Sequence, residues 1–522
     1  LPLRLASLEE FASQTRRLLA RADARLTLVA PDLAGLVESG PDDPPLVALD
    51  TLGRFLGPDR PGTSGGSDGS GYERRAGAFL HNGADRRAVD FVAPPPDRGR
   101  TAIVQYTSGS TADPKGVVLP HAQVVANVDA IVAGIGLVAG EDTVVSWLPL
   151  YHDMGLIGML AVPMAAGLDL VLAAPQDFMA SPSRWLEWMS DFRGTCTAGP
   201  NFAYALATRA MARMEGLDLS SWRLALNGAE PIDPAAVEAF CAAGERHGLD
   251  PRAVFCAFGM AEAVLAVTFP DPGSGLSTDT VDRRALERER AAIPAAPGDP
   301  GARRLARLGQ PVGDLEIRIV DPADPDPGNC APRLRGEREV GELQVRGSSV
   351  TPGYYADPEA TAAAFTADGW LRTGDLAYLA EGELVVCGRS KDVIIVGGRN
   401  VFPEDVERAV GGVPGVRAGN VIAFGVEGRN GREGVVVVAE TREVDPSPLR
   451  QAVAEAVRSS VGVPARDIVL VDPGSLPKTS SGKLQRSLCR QRYLGSELQP
   501  VPGGDRSGQD PGRHGDANPA QT

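Results

Sequence analysis

Tyr106–Gly116 reads YTSGSTADPKG and follows directly on the apolar run Thr101–Tyr106. An apolar strand that opens into hydroxyls (Thr107, Ser108, Ser110, Thr111), a pliable Gly109 and the cation Lys115 presents many donors to phosphate oxygens. Glycine lets backbone N–H groups converge, and lysine adds a point charge. The spacing is not GxxxxGK[ST], because Lys115 precedes Gly116. Taken alone, the stretch reads equally well as an ordinary Ser/Thr-rich surface turn.

Working outward, apolar runs at Thr143–Leu148, Leu168–Ala173, Arg223–Asn227 and Val254–Ala257 alternate with helical patterns at His121–Ile135, Ser183–Phe192 and Pro234–His247. Short apolar strands alternating with helices predict α/β layering with mostly parallel sheets. After about residue 310, Leu315–Val320, Val340–Val345 and Glu383–Cys387 predict a small β-rich subdomain. From Gly388 on, strands at Val393–Val396, Val421–Gly425 and Gly434–Glu440 and helices at Glu404–Val410 and Ser447–Ser460 predict a compact α+β domain. The expected division is 1–388 as a large domain, 389–497 as a smaller, mobile one, and 498–522 as a disordered tail. Gly57–Gly71 (GPDRPGTSGGSDGSG) has almost nothing apolar to offset its ordering entropy and reads as a flexible loop.

Composition narrows the function. The chain has 522 residues, 43% hydrophobic and 23% charged, with a net charge of −15 and no basic run. That excludes nucleic-acid binding as a main activity and argues against anionic-lipid binding, since both need a basic patch. Leu156–Pro175 is the longest apolar stretch, but Pro163, Gly167 and Asp169 interrupt it. An Asp at mid-bilayer costs about 2.5–3.5 kcal/mol, so the stretch reads as helix, turn and buried strand, with no stable membrane insertion. Six cysteines (Cys196, Cys241, Cys256, Cys330, Cys387, Cys489) lack CxxC spacing, and the five histidines form no ligand cluster. With no secretory signal in Leu1–Glu9, the expectation is a reducing, cytoplasmic setting.

Further motifs occur in a fixed order: Trp147–Gly155 (WLPLYHDMG), Asn227–Ile232 (NGAEPI), Phe258–Ala263 (FGMAEA), Thr373–Leu376 (TGDL), Gly388–Pro403 (GRSKDVIIVGGRNVFP) and Pro477–Arg486 (PKTSSGKLQR). With the opening loop, they resemble the adenylate-forming superfamily of acyl-CoA synthetases, adenylation domains and luciferases. The resemblance spans about residues 100–490. In LPLYHDMGL, NGAEPI, GPNFAY (Gly199–Tyr204), Ala261 before Glu262, and GRNVFPEDVE, the wording is similar to fatty-acyl-AMP ligases. Leu276–Gly309 falls where those ligases carry an extra segment associated with delivery to a carrier protein.

The resemblance implies a ligase that joins a carboxylic acid to ATP as an acyl-adenylate, releases pyrophosphate, and passes the acyl group to the phosphopantetheine thiol of CoA or an acyl carrier protein. It implies catalytic roles for Lys483 (α-phosphate and carboxylate), Glu262 and His152 (beside the acyl carboxylate). ATP or AMP would be held by Thr107, Ser108, Gly109, Ser110, Thr111, Lys115, Gly228, Ala229, Glu230, Phe258, Gly259, Met260, Asp375 and Arg389. Glu262 and Thr111 would hold Mg²⁺, and Lys391 would mark a hinge. Each has a plain alternative: a solvated lysine, a turn aspartate, a core phenylalanine, a structural histidine.

The N-terminal stretch resembles the middle of that family's first subdomain, so the chain reads as lacking the usual opening section. Two other functions therefore stay open. One is a non-adenylating enzyme that makes the thioester from a pre-made acyl-AMP, with a complementary adenylating partner. The other is a non-enzymatic scaffold homologue.

Overall fold

The computed structural model describes residues 95–107, 114–322, 332–428, 433–443, 445–478 and 483–501. It also describes residues 19 and 22 and the short strands Thr27–Val29 and Leu46–Ala48. Two compact units divide the chain, one formed by Thr101–Thr522 with Leu1–Leu5, the other by Ala6–Arg100. In the second unit the two short strands pair in parallel. Gly57–Gly71, Cys330 and residues 502–522 lie outside the described residues.

The first unit is built on a five-stranded sheet among the described residues, in the spatial order Asp169–Leu172, Thr143–Ser146, Cys196–Gly199, Leu224–Asn227, Val254–Cys256. Every pairing in it is parallel. Cys196–Gly199 is buried throughout, as suits a central strand covered on both faces. Leu168–Ala173, expected as a buried strand, instead forms the edge strand Asp169–Leu172 with Asp169 and Leu172 exposed. An apolar run reports which faces are covered, not whether a strand has a neighbour on each flank.

Rings concentrate behind this sheet. Trp147 stacks on Phe178 at 3.8 Å, and Trp185 packs edge-on against Trp147, Phe178, Tyr204 and Trp222. Two buried polar handles are partnered, Trp185 Nε1 donating to Thr197 Oγ1 at 3.1 Å and Tyr204 Oη to the Leu226 carbonyl at 2.6 Å, whereas Trp147 Nε1 is buried with no hydrogen-bond partner. Large rings thus supply core area at the cost of one unpartnered indole N–H.

A four-stranded antiparallel sheet follows, made of Glu316–Val320, Gly341–Arg346, Leu371–Ala380 and Glu383–Arg389. The region after it has its own apolar cores. There, Val416–Glu427, Glu433–Thr441 and Asp467–Val471 form a three-stranded sheet with helices Pro403–Gly411, Pro446–Val461 and Arg486–Leu494. Packing continues past residue 497: Leu498 and Val501 are buried, and Val501 N–H donates to the Leu470 carbonyl at 2.9 Å. The stretch expected as a tail from 498 therefore begins with four ordered residues, because the side chains of two of them, Leu498 and Val501, find apolar cover. Among the described residues no helix is long and apolar enough to cross a membrane.

Candidate active site

In open parallel α/β sheets, ligands bind beyond the carboxyl ends of the strands. Four of the sequence motifs start there. WLPLYHDMG leaves Thr143–Ser146, GPNFAY leaves Cys196–Gly199, NGAEPI leaves Leu224–Asn227, and FGMAEA follows Val254–Cys256.

The hairpin Thr101–Thr107 and Lys115–Pro120 brings Thr107 opposite Lys115. Thr107 Oγ1 donates to the Lys115 carbonyl at 3.4 Å. The strands thus pin both ends of the loop, whose Ser108, Gly109, Ser110 and Thr111 lie outside the described residues.

Glu262 sits on the short turn Ala261–Ala263 and accepts a hydrogen bond from Tyr354 Oη at 3.0 Å. The preceding strand Phe258–Gly259 pairs with Ala266–Phe269. Gly259 is required there, since a Cβ would lie 2.1 Å from the Leu265 carbonyl oxygen. Met260 N–H closes the turn on that same carbonyl at 2.9 Å. Phe258 and Met260 are partly buried against the main core. Ala229 holds a left-handed φ of 70°, a conformation costly for a residue with a Cβ and found mostly where function constrains the backbone. Next to it, Glu230 Oε1 accepts from Phe202 N–H at 2.7 Å. Burial pushes the Glu230 carboxyl up against the opposing pull of that bond, Lys483 and Lys478.

Asp375 and Arg389 are cross-strand partners in the antiparallel sheet, and Arg389 Nε donates to Asp375 Oδ1 at 3.2 Å. Thr373 Oγ1 accepts the Asp375 N–H at 3.0 Å and donates to the Leu343 carbonyl at 2.8 Å, which fixes the turn. Burial pushes the Asp375 carboxyl up; Arg389 and Lys391 oppose this, and Glu262 adds to it. Lys391 lies in the turn Ser390–Asp392. Desolvation and then Arg389 depress its ammonium, and Lys115 is among its charged neighbours.

His152 Nδ1 lies 2.6 Å from Asp153 Oδ1. The shorter contact of Met154 N–H is also to Asp153, at 2.7 Å, so Nδ1 is best read as donor to the carboxylate. Immediately after comes a π-helix, Met154–Ala161, at whose start a Cβ on Gly155 would meet the Pro149 carbonyl oxygen at 2.2 Å. Burial pushes the Asp153 carboxyl up, but His152, Lys483 and the Met154 N–H outweigh it and hold it below its ordinary range. Lys483 closes the set. Burial depresses its ammonium, Asp153 and Glu230 pull it back up, and Arg389 adds to the depression. Its loop is anchored by Arg486, which donates to Asp392 Oδ2 at 2.6 Å and to both Glu407 oxygens at 3.0 Å.

The structure therefore gathers Lys115, Glu262, Asp375, Arg389 and Lys391 into one electrostatic neighbourhood, and His152–Asp153, Glu230 and Lys483 into another. Arg389 belongs to both. Sequence reasoning missed Tyr354, Asp153 and Arg486 as contributors. Asp153 and Arg486 stood inside quoted motifs, whereas Tyr354 had no local signal beyond its place in Gly353–Tyr355. Among the described residues no group of three or more His, Cys, Asp or Glu can hold a metal. Glu262 is a hard oxygen donor of the kind Mg²⁺ accepts, and Mg²⁺ commonly takes one or two carboxylates and completes its shell with phosphates and water.

Carboxylates and cations grouped around the strand-end motifs, next to a hairpin whose ends hold Thr107 opposite Lys115, are the chemistry of a site for a phosphorylated nucleotide. The model of the AMP-binding enzyme family matches residues 15–355, and the chain belongs to that family of adenylate-forming ligases. It is 43% identical over 394 residues to Rv1013 of Mycobacterium tuberculosis, named only as a ligase, covering 74% of this chain and 70% of that one. It is 36% identical over 413 residues to the medium-chain-fatty-acid–[acyl-carrier-protein] ligase JamA of Moorena producens, covering 76% and 68%. Among solved structures, one from a study of fatty acyl-adenylate ligases of E. coli and L. pneumophila superposes with a TM-score of 0.81 at 31% identity, covering 95% of this chain and 83% of that one.

Proposed function

We propose that the protein activates a carboxylic acid with ATP and transfers the acyl group to a phosphopantetheine thiol. The observation that carries this reading is the position of Lys483. It comes from the C-terminal region yet shares its surroundings with Asp153, Glu230 and Arg389, residues of the strand-end loops and the antiparallel sheet.

In the first step a carboxylate oxygen attacks the α-phosphorus, the bond to the β-phosphate bridging oxygen breaks, and pyrophosphate leaves. Little proton transfer is needed, so charge and positioning supply most of the rate. Lys483 neutralises the α-phosphate and the incoming carboxylate. Lys115 and the hydroxyls from Thr107 to Thr111 receive the outer phosphates. Asp375, an acceptor on both oxygens, takes the ribose hydroxyls beside Arg389. Phe258, Gly259, Met260 and Gly228–Glu230 line the base. His152, oriented by Asp153, faces the acyl carboxylate. Glu262 and Thr111 would hold Mg²⁺, which bound there would offset phosphate charge.

In the second step the thiol sulfur attacks the acyl carbonyl, its proton passes to solvent, and the bond to AMP breaks. The smaller domain, 389–497, would turn about Lys391 between the steps. The relative named as an acyl-carrier-protein ligase favours a carrier-borne thiol as acceptor.

ATP–pyrophosphate exchange across a panel of fatty and aryl acids tests the first step. Exchange with at least one acid is expected, and Lys483→Ala is expected to lower it at least about a hundredfold, the size typical of removing one preorganised charge stabiliser. No exchange with any acid, or full exchange in Lys483→Ala, would count against the proposal.

A further inference from the structure

Tyr354 lies between two groups that have no contact in sequence. Its phenol donates to Glu262 Oε1 at 3.0 Å, and Lys115 Nζ sits 4.9 Å from the centroid of its ring. The first is a hydrogen bond to a charged acceptor and the second a cation–π contact, so one side chain touches the carboxylate with its oxygen and the cation with its face.

The backbone around it leaves little play. Tyr354 bridges Val117 in antiparallel register, Val118 N–H donates to the Gly353 carbonyl at 3.0 Å, and Tyr355 N–H to the Gly116 carbonyl at 2.7 Å. On the other side, Thr351 N–H donates to the Glu262 carbonyl at 2.7 Å, and Thr351 Oγ1 to the Val118 carbonyl at 2.6 Å. Residues 351–355 are thus stitched both to the strand that ends the phosphate loop and to the turn that carries Glu262. Gly353 is part of the device: its φ is +149°, and a Cβ there would lie 2.4 Å from Thr361 Cγ2. Thr361 Oγ1 in turn accepts Tyr354 N–H at 2.9 Å.

We infer that Tyr354 is a positioning residue that sets the separation between Lys115 and Glu262, and so lets phosphate and its divalent cation be met together. This rests on the nucleotide reading given above. The phenol oxygen aims Glu262 toward the cation, and the ring aims Lys115 toward the outer phosphates. Each limb can be removed separately. Tyr354→Phe keeps the ring and deletes the donor. Tyr354→Gln keeps a donor and deletes the ring.

The test is direct binding on the full chain without turnover. Mn²⁺ is titrated by electron paramagnetic resonance in the presence of α,β-methylene-ATP, and metal-free pyrophosphate by calorimetry. Tyr354→Phe is expected to weaken Mn²⁺ about tenfold, the order of one hydrogen bond to a charged group, and to leave metal-free pyrophosphate within about twofold. Tyr354→Gln is expected to do the reverse, weakening pyrophosphate several-fold, the order of a partly buried cation–π contact. In a Glu262→Gln background, Tyr354→Phe should have no further effect on Mn²⁺. The inference is overturned if Tyr354→Phe leaves Mn²⁺ affinity unchanged, if its penalty persists without Glu262, or if both variants weaken both ligands alike, as a merely structural tyrosine would. Should one variant fail to fold, the other still separates the limbs. A wild type that binds neither ligand sinks the nucleotide reading itself, a result distinct from a wild type that binds both and a Tyr354→Phe variant that matches it.

Discussion

At the residue scale, the charges that hold the fold can be told from those grouped at the candidate site. Asp142 is 4% exposed and accepts from Arg223 through Nε at 2.7 Å and Nη2 at 2.6 Å, from Val138 N–H at 2.9 Å and from Thr195 Oγ1 at 2.8 Å. Burial raises its carboxyl pKa, but these donors outweigh burial and hold it at about 2 against an ordinary 3.8. A depressed folded pKa means the stabilisation is complete above the unfolded value and disappears as pH falls from about 4 through about 2. Its size is about 2 kcal/mol. Asp142→Asn should therefore lag wild type in urea denaturation at pH 6, with the gap narrowing below about pH 4 and closing only near pH 2. A gap that stays constant with pH would show that the carboxylate charge contributes nothing. Asp375 differs: burial raises its pKa, and no comparable set of donors offsets the cost. An acceptor of that kind fits the ribose role proposed for Asp375.

At the element scale, two glycines test how tightly the site's turns are built. A Cβ on Gly259 would lie 2.1 Å from a backbone oxygen, so the hairpin carrying Glu262 must shift to admit it. Gly259→Ala should cost about 1–3 kcal/mol of stability, the range of overpacking, and should lower nucleotide affinity. At Gly374 nothing lies within 4 Å of a Cβ, but its φ is +72°. Gly374→Ala should cost only about 1 kcal/mol, from backbone strain alone. Thermal melts of the two variants side by side decide this, and equal losses would mean that contact is not what distinguishes them. Elements were the level most legible in the sequence. The runs read as Thr143–Leu148, Arg223–Asn227 and Val254–Ala257 form the strands Thr143–Ser146, Leu224–Asn227 and Val254–Cys256. Local apolar patterning suffices there because both faces of the strands are covered.

At the scale of the whole molecule, the segment read as an insertion meets the C-terminal region through buried charge. Thr278–Asp282 pairs with Ala302–Ala306, and the helix Arg283–Glu289 lies between them. Glu287, fully buried, accepts from Arg399 Nε at 3.0 Å and accepts Asn400 Nδ2 through its carbonyl at 3.0 Å. Arg303 lies 2.9 Å from Asp405 and packs over the Phe402 ring at 4.4 Å. Removing one partner of a buried pair leaves an uncompensated charge. Arg303→Ala leaves Asp405 with Arg408, 3.7 Å away, and should cost about 3 kcal/mol. Arg303→Met with Asp405→Leu should recover most of that loss. Urea denaturation checks both, and a neutral Arg303→Ala would mean the pair carries no coupling between the two regions.

The sequence by itself determined the α/β class, the strand and helix order, and the motifs that mark an adenylate-forming ligase, because these depend on local periodicity and on residues whose neighbours in the chain define them. It also put Asp375 and Arg389 on a common list without showing that they face each other across two strands. Only the tertiary structure decided which side chains share a field: Lys483 with Asp153 and Glu230, Arg486 with Asp392, Tyr354 with Lys115 and Glu262. Charge and hydrogen bonds act over a few ångströms of space whatever the separation along the chain. A contact between residues 92 positions apart, such as Tyr354 with Glu262, leaves no local pattern to read.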